Sequence, residues 1–187
     1  MLSLGHYIKI MGIIAAVLCG WGAVEATDTD TVPTFEDGIE ALETSDFQAA
    51  FDIFSVHAEN GDPRAQNNLG MMYIYGLGTE ADLESAVDWH RKAADQDLPD
   101  SQYILGMLYM QGREVAQDHE QAAAWFRKAA ELGNSAAQFQ LGTQYYRGMG
   151  VLQDHHEAAR LYRNAAEQGD ADAQSNLGVL YLWGHGV

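Results

Sequence analysis

Histidine, carboxylate and glycine at short spacing are the residues of this chain that could do chemistry. His119-Glu120 and His156-Glu157 open like a zinc-protease site, in which two histidines four apart on one helix face hold the metal and the glutamate acts as base. The fifth residue of each is Ala123 or Arg160 instead of His, so the second ligand is missing. Gly76-Leu-Gly78, Gly148-Met-Gly150 and Gly184-His-Gly186 could cradle a phosphate, but they follow helical patterns, with no third glycine and no lysine after them. Helix caps and turns account for them. His119 and His155 occupy equivalent positions and can line one edge in neighbouring repeats, too far apart to share a metal without a third ligand; they read as solvent-exposed loop histidines. No Gly-x-Ser-x-Gly elbow is present, and no carboxylate pair stands apart from the general acidity. The reading therefore names no catalytic residue, no metal ligand and no cofactor.

The elements that carry these residues repeat. Gln66, Gln102, Gln138 and Gln174 are each followed three residues on by Leu-Gly and then by Tyr73, Tyr109, Tyr145 or Tyr181, all at an offset of 36 residues. Gly76, Gly112, Gly148 and Gly184 keep the same step. Ala86, Ala122 and Ala158 precede Trp89, Trp125 and Leu161, and then the pairs Ala93-Ala94, Ala129-Ala130 and Ala165-Ala166. A fixed period in this range predicts an all-α, right-handed α-solenoid of antiparallel helix pairs. Ala65, Leu69 and Tyr73 make the apolar stripe of a first helix A, which Gly76 ends; helix B starts near Asp82 and runs through Ala86, Trp89 and Ala93. Gly70 and its equivalents let backbones approach, with Leu69, Tyr73 and Trp89 filling the larger gaps.

The predicted organisation is a signal peptide over 1–26, a flexible leader over 27–33, a degenerate N-terminal capping helix pair over 34–63, and repeats over 64–99, 100–135, 136–171 and, in part, 172–187. The signal rests on the uncharged stretch 10–24 behind Lys9 and on the small residues of Val24-Glu25-Ala26. That stretch is shorter than the ~20 residues a spanning helix needs. Cleavage after about Ala26 removes the only cysteine, Cys19, so the mature chain has neither disulfide nor thiol chemistry. The expected location is the periplasm or the exterior. A final helix A without its helix B exposes its packing face, so the chain reads as a fragment or as covered there by another chain, a possible oligomer through the C-terminal repeat face.

The 187 residues carry 27 acidic side chains against ten lysines and arginines, a formal charge of −17. Phosphate backbones and anionic lipid heads need clustered cations, so neither nucleic acid nor, beyond the signal segment, a membrane is an expected partner.

The unit AxAQxxLGxxYxxGxGV followed by AxxWxxKAA resembles the Sel1-like repeat, a relative of the tetratricopeptide repeat. Departures are Glu114 for the second loop glycine (Gly78, Gly150, Gly186), Asp97 for the turn glycine (Gly61, Gly133, Gly169), Leu161 for Trp and Asn164 for Lys. The resemblance implies an adaptor or scaffold that binds a protein or an extended peptide on a concave surface lined by the A helices. Carried onto this chain, that surface comprises Asn67, Met71 and Tyr75; Tyr103, Met107 and Gln111; and Phe139, Thr143, Tyr146 and Arg147, a set rich in the aromatic, Met and Arg types found where proteins meet. The alternative implied by some cysteine-rich members is a cell-wall or β-lactam hydrolase, which the lack of cysteines disfavours.

Overall fold

The computed structural model describes residues 32–186, and the helices lie in a single compact unit. The predicted signal peptide and most of the leader fall outside the described residues. Nine helices and no strand are described: α1 (Phe35–Glu43), α2 (Phe47–Glu59), α3 (Pro63–Tyr75), α4 (Leu83–Ala94), α5 (Pro99–Gln111), α6 (His119–Glu131), α7 (Ser135–Arg147), α8 (His155–Glu167) and α9 (Ala171–Trp183). Each packs chiefly on the helices before and after it in the chain. The result is the all-α solenoid that the period predicts, with A helices α3, α5, α7 and α9 alternating with B helices α4, α6 and α8.

Local chemistry sets the ends. Asp82, Asp118 and Asp154 cap the B helices, each carboxylate accepting from two backbone amides of the first turn. A helices are capped by Asp62, which accepts from two first-turn amides, and by Asn134 and Asp170, which each accept from one; Leu98 stands at the equivalent point of α5 and supplies no side-chain bond. The two turn substitutions noted in the sequence leave the backbone unchanged in type: Asp97 and Glu114 adopt φ of 59° and 56°, in the left-handed region where the other repeats place glycine.

The repeated glutamines hold the units together. The side-chain amides of Gln66, Gln102, Gln138 and Gln174 donate to the carbonyls of Ala58, Ala94, Ala130 and Ala166, at 3.1, 3.1, 3.2 and 3.2 Å. Each bond ties an A helix to a carbonyl in the last turn of the preceding B helix, which also accepts from a turn amide, that of Gly61, Asp97, Gly133 or Gly169.

The glycine of the Leu-Gly pair has a different partner from the one its spacing suggested. A Cβ on Gly70, Gly106 or Gly142 would meet the ring of His90, Phe126 or Tyr162 at 2.8, 2.5 or 3.0 Å. The glycine is thus the seat of the B-helix ring that follows the tryptophan position. Those three rings are almost wholly buried, whereas Trp89 and Trp125 are half-buried and carry Lys92 and Lys128 over their faces at 3.6 and 4.2 Å. In α8 both members of that cation–π pair are replaced together, by Leu161 and Asn164.

Candidate functional site

The ten residues expected on the A-helix surface divide by depth. Met71 is buried at 8% exposure, and so belongs to the packing more than to an open surface. Asn67, Tyr103, Met107, Phe139, Thr143 and Tyr146 are half-buried, while Tyr75, Gln111 and Arg147, which end α3, α5 and α7, are exposed.

Several of the half-buried group have structural partners. Tyr103 lies on Phe126 with ring centroids 5.9 Å apart, and Phe139 on Tyr162 at 5.7 Å. Burial pushes the Tyr103 phenol upward, opposed by a hydrogen bond from Gln140. Asn67 accepts at 2.9 Å from the Ser101 hydroxyl, which in turn lies 3.4 Å from His90 Nδ1. Ser101 stands where other repeats have Ala65, Ala137 and Ala173, and His90 where they have Phe54, Phe126 and Tyr162, so the two polar residues enter the core together. Within this Ser–His–Asn trio His90 and Ser101 have no exposed surface, and Asn67 is half-buried. Desolvation lowers the His90 pKa to about 3, and its Nε2 has no hydrogen-bond partner. The imidazole therefore works as a neutral core ring.

His119 and His155 correct a sequence expectation: they are half-buried first residues of α6 and α8, not exposed loop residues, and the Nδ1 atoms of both are buried without a partner. Tyr146 packs on His155, which stacks on His185 at 4.8 Å and 14°. Among the described residues no group of three or more His, Cys, Asp or Glu side chains is placed to hold a metal ion.

One part of the surface opens into a cavity of about 100 Å³. It is lined by Thr143, Tyr146 and Arg147 of α7, Tyr162 of α8, and Asn176, Val179 and Leu180 of α9. The Thr143 hydroxyl donates to the Phe139 carbonyl at 3.0 Å and sits 3.1 Å from the Tyr162 hydroxyl. Burial pushes the Tyr162 phenol up, and hydrogen bonds to Thr143 and Asn176 oppose that shift. Three of the expected residues are brought together here. Tyr162 and Asn176 were missed because reading by helix A alone ignores the B-helix ring behind it and the next A helix beside it. A 36-residue step from Phe126 and Gln140 would have found both.

Beyond this cavity α9 exposes Tyr181, Leu182 and Trp183, and Gly178, alone among the Leu-Gly glycines, meets nothing within 4 Å of its Cβ position.

A repeat of this geometry defines a class of helical scaffold, and the comparisons give its family. The Sel1 repeat family model matches residues 63–98, 99–134, 135–170 and 171–187. The chain belongs to the Sel1 repeat family. It is similar to a solved Sel1 repeat protein from Oxalobacter formigenes, with 34% identity and a TM-score of 0.79 over 82% of this chain and 63% of that one. It is also similar to a protective antigen of uropathogenic Escherichia coli with the same fold, at 42% identity and a TM-score of 0.72, over 73% of this chain but 29% of that one. The chain thus spans less than two thirds of either. A cysteine-rich protein of Helicobacter pylori, at 20% identity and a TM-score of 0.54, shows the fold alone. The curated proteins gave no match. Proteins built from Sel1 repeats typically mediate protein–protein interaction, and the repeat is generally a non-catalytic scaffold. No described helix is long and apolar enough to cross a membrane.

Proposed function

We infer that this protein is an exported adaptor, periplasmic or secreted, that holds a protein or an extended peptide along the concave surface of its A helices. The observation that carries the reading is the row of exposed side chains ending successive A helices, Tyr75, Gln111 and Arg147, one 36-residue repeat apart along the chain. A segment lying across them touches several repeats at once, which a compact fold of this size does not allow. The exposed ends supply an aromatic, an amide and a guanidinium over half-buried Met107, Phe139 and Tyr146, the mixture in which interface cores are enriched.

Site-specific photo-crosslinking in the native compartment tests this. A photoreactive residue at Tyr75 or Gln111 is expected to capture a partner that the same residue at Asp88 or Gln121, exposed on the B helices, does not. Capture only from the B helices moves binding to the other face, and no adduct from either face sinks the adaptor reading.

A further inference from the structure

The exchange of Trp for Leu161 and of Lys for Asn164 leaves a space on the B-helix side, and the other repeats show what such a space holds. Trp89 packs against the core cluster that contains Ala58 and Leu69, and Trp125 against the cluster that contains Ala94 and Leu105. One 36-residue step on, the equivalent seat is formed by Ala130 and Leu141, and the smaller Leu161 enters it. A cavity of about 130 Å³ opens there, lined by buried Leu141 and Leu161, half-buried Ala130 and polar side chains of α6, α7 and α8. An apolar cavity of about 150 Å³ holds a benzene molecule, so this one, open to the surface, takes one aromatic ring.

The cation has not gone with the lysine. Arg160 stands where the earlier units have Asp88 and Ala124, and it lines the cavity together with Arg127. Arg160 spends its edge N–H groups on Glu157, with Nε 2.8 Å from the carboxylate, and Arg127 donates to the Tyr145 hydroxyl at 3.2 Å. Bonds at the edge of a guanidinium leave its planar face for an aromatic ring. Glu131 and the Asn164 side chain also line the cavity and have no hydrogen bond or ion pair among those described, so each offers an acceptor to an N–H. Arg127 and Arg160 balance Glu131 and Glu157, which makes this a locally neutral spot on a chain of charge −17 and suits an uncharged guest.

From this arrangement we propose that the cavity is a docking socket for a tryptophan side chain of a partner protein, its ring against Leu141 and Leu161 beside the two guanidiniums and its N–H on Glu131 or Asn164. The guest stands where the chain's own tryptophan stands in the two preceding units. The socket adds a contact surface away from the A helices and so goes beyond the adaptor reading. An aliphatic side chain offers no π face to the arginines, and a phenyl ring has no N–H for the free acceptors. A ring carried on a protein also gains from the helix surface around the mouth, which a free aromatic molecule does not.

The probe is the neutral peptide Ac-Gly-Ser-Trp-Ser-Gly-amide, titrated into the isotope-labelled full chain and read by NMR; a basic peptide would be drawn to the acidic surface anywhere. Saturable shifts are expected at the amides of Ala130, Leu141 and Leu161, with millimolar affinity. The same peptide with Leu in place of Trp should bind at least about tenfold more weakly. Leu161→Trp with Asn164→Lys restores the residue types of Trp125 and Lys128 and fills the socket, so binding should be lost while circular dichroism shows the helices intact. The comparison of the two peptides on the unaltered chain decides the matter even if that double variant folds poorly. Equal binding of the two peptides, binding that survives in the folded double variant, or no saturation overturns the proposal. Indole alone should bind as well, but indole that saturates the site while the peptide does not would make it a small-molecule site and overturn the assignment to a partner's side chain. Crosslinking from Tyr75 and Gln111 tests the A-helix reading independently, because neither residue lines this cavity.

Discussion

At the residue scale, departures from the repeat leave specific polar atoms without partners. Gln96 donates to Gln66 Oε1 at 2.9 Å, and Gln168 to Gln138 Oε1 at 2.8 Å, so in two units a second glutamine satisfies the one that ties the helices together. The equivalent position in the middle unit is Leu132, half exposed, and the buried Gln102 Oε1 is accordingly unpartnered. Leu132→Gln should supply the missing donor and stabilise the fold by about 1 kcal/mol, readable as a shifted denaturation midpoint with unchanged slope. No gain would mean that water already fills the role. Gln144 shows the opposite fault: it is fully buried where other repeats have Met72, Leu108 and Leu180, and neither side-chain polar atom is bonded. Gln144→Leu is expected to stabilise by roughly 1–3 kcal/mol, the cost of an unsatisfied buried amide. Such effects are legible in the sequence only once the repeats are aligned and the partner of each glutamine is known, because the bonds cross 30 residues of chain.

At the scale of elements, what decides stability is how a B-helix ring sits on an A-helix glycine. Adding a methyl at Gly106 would put it 2.5 Å from two carbons of the fully buried Phe126 ring, whereas the same methyl at Gly178 meets nothing. Gly106→Ala should therefore destabilise by about 1–3 kcal/mol through overpacking, and Gly178→Ala should stabilise by up to about 1 kcal/mol through helix propensity. Thermal melts of the two variants should move in opposite directions; a shared direction would show that the ring does not occupy the seat. The seat of Gly70 holds His90, which gives its helix pair a pH dependence. Its folded pKa of about 3 lies below the ordinary value of 6.5, so between these the unfolded chain binds the proton and the folded one does not. Stability from this group is full above about pH 6.5 and falls as the pH drops toward 3. The pair His90→Phe with Ser101→Ala, types found at the same positions of the next repeat, should flatten that part of the acid curve. The 36-residue period made the helix pairs legible in the sequence. It could not say which aromatic enters the core, because Trp89 and His90 are adjacent and only the pitch of α4 against α3 chooses between them.

For the whole molecule the governing quantity is charge. The chain holds 27 acidic groups against ten lysines and arginines, yet the described ion pairs engage only Arg64, Arg91 and Arg160, all at the surface, while Lys92 and Lys128 lie on tryptophans and Arg127 and Arg163 bond tyrosine hydroxyls. Cations that go to rings and phenols do not neutralise carboxylates, so the folded solenoid carries its negative charge largely uncompensated, and compaction brings those charges together. Screening should relieve this. Raising salt from ~0.01 to ~0.15 M, where the Debye length drops from about 30 to 8 Å, is expected to lift Tm by about 2–4 °C, the equivalent of about 1 kcal/mol for a chain of this length. A surface held by its ion pairs would respond the other way, with Tm falling as salt weakens them, and that result would reassign the stability to Arg64, Arg91 and Arg160. The same field bears on binding. If the groove takes a neutral or basic segment, the association rate should fall with added salt for a basic partner and stay flat for a neutral one, whereas a rate that rises with salt would reveal an acidic partner overcoming the repulsion of the scaffold that holds it.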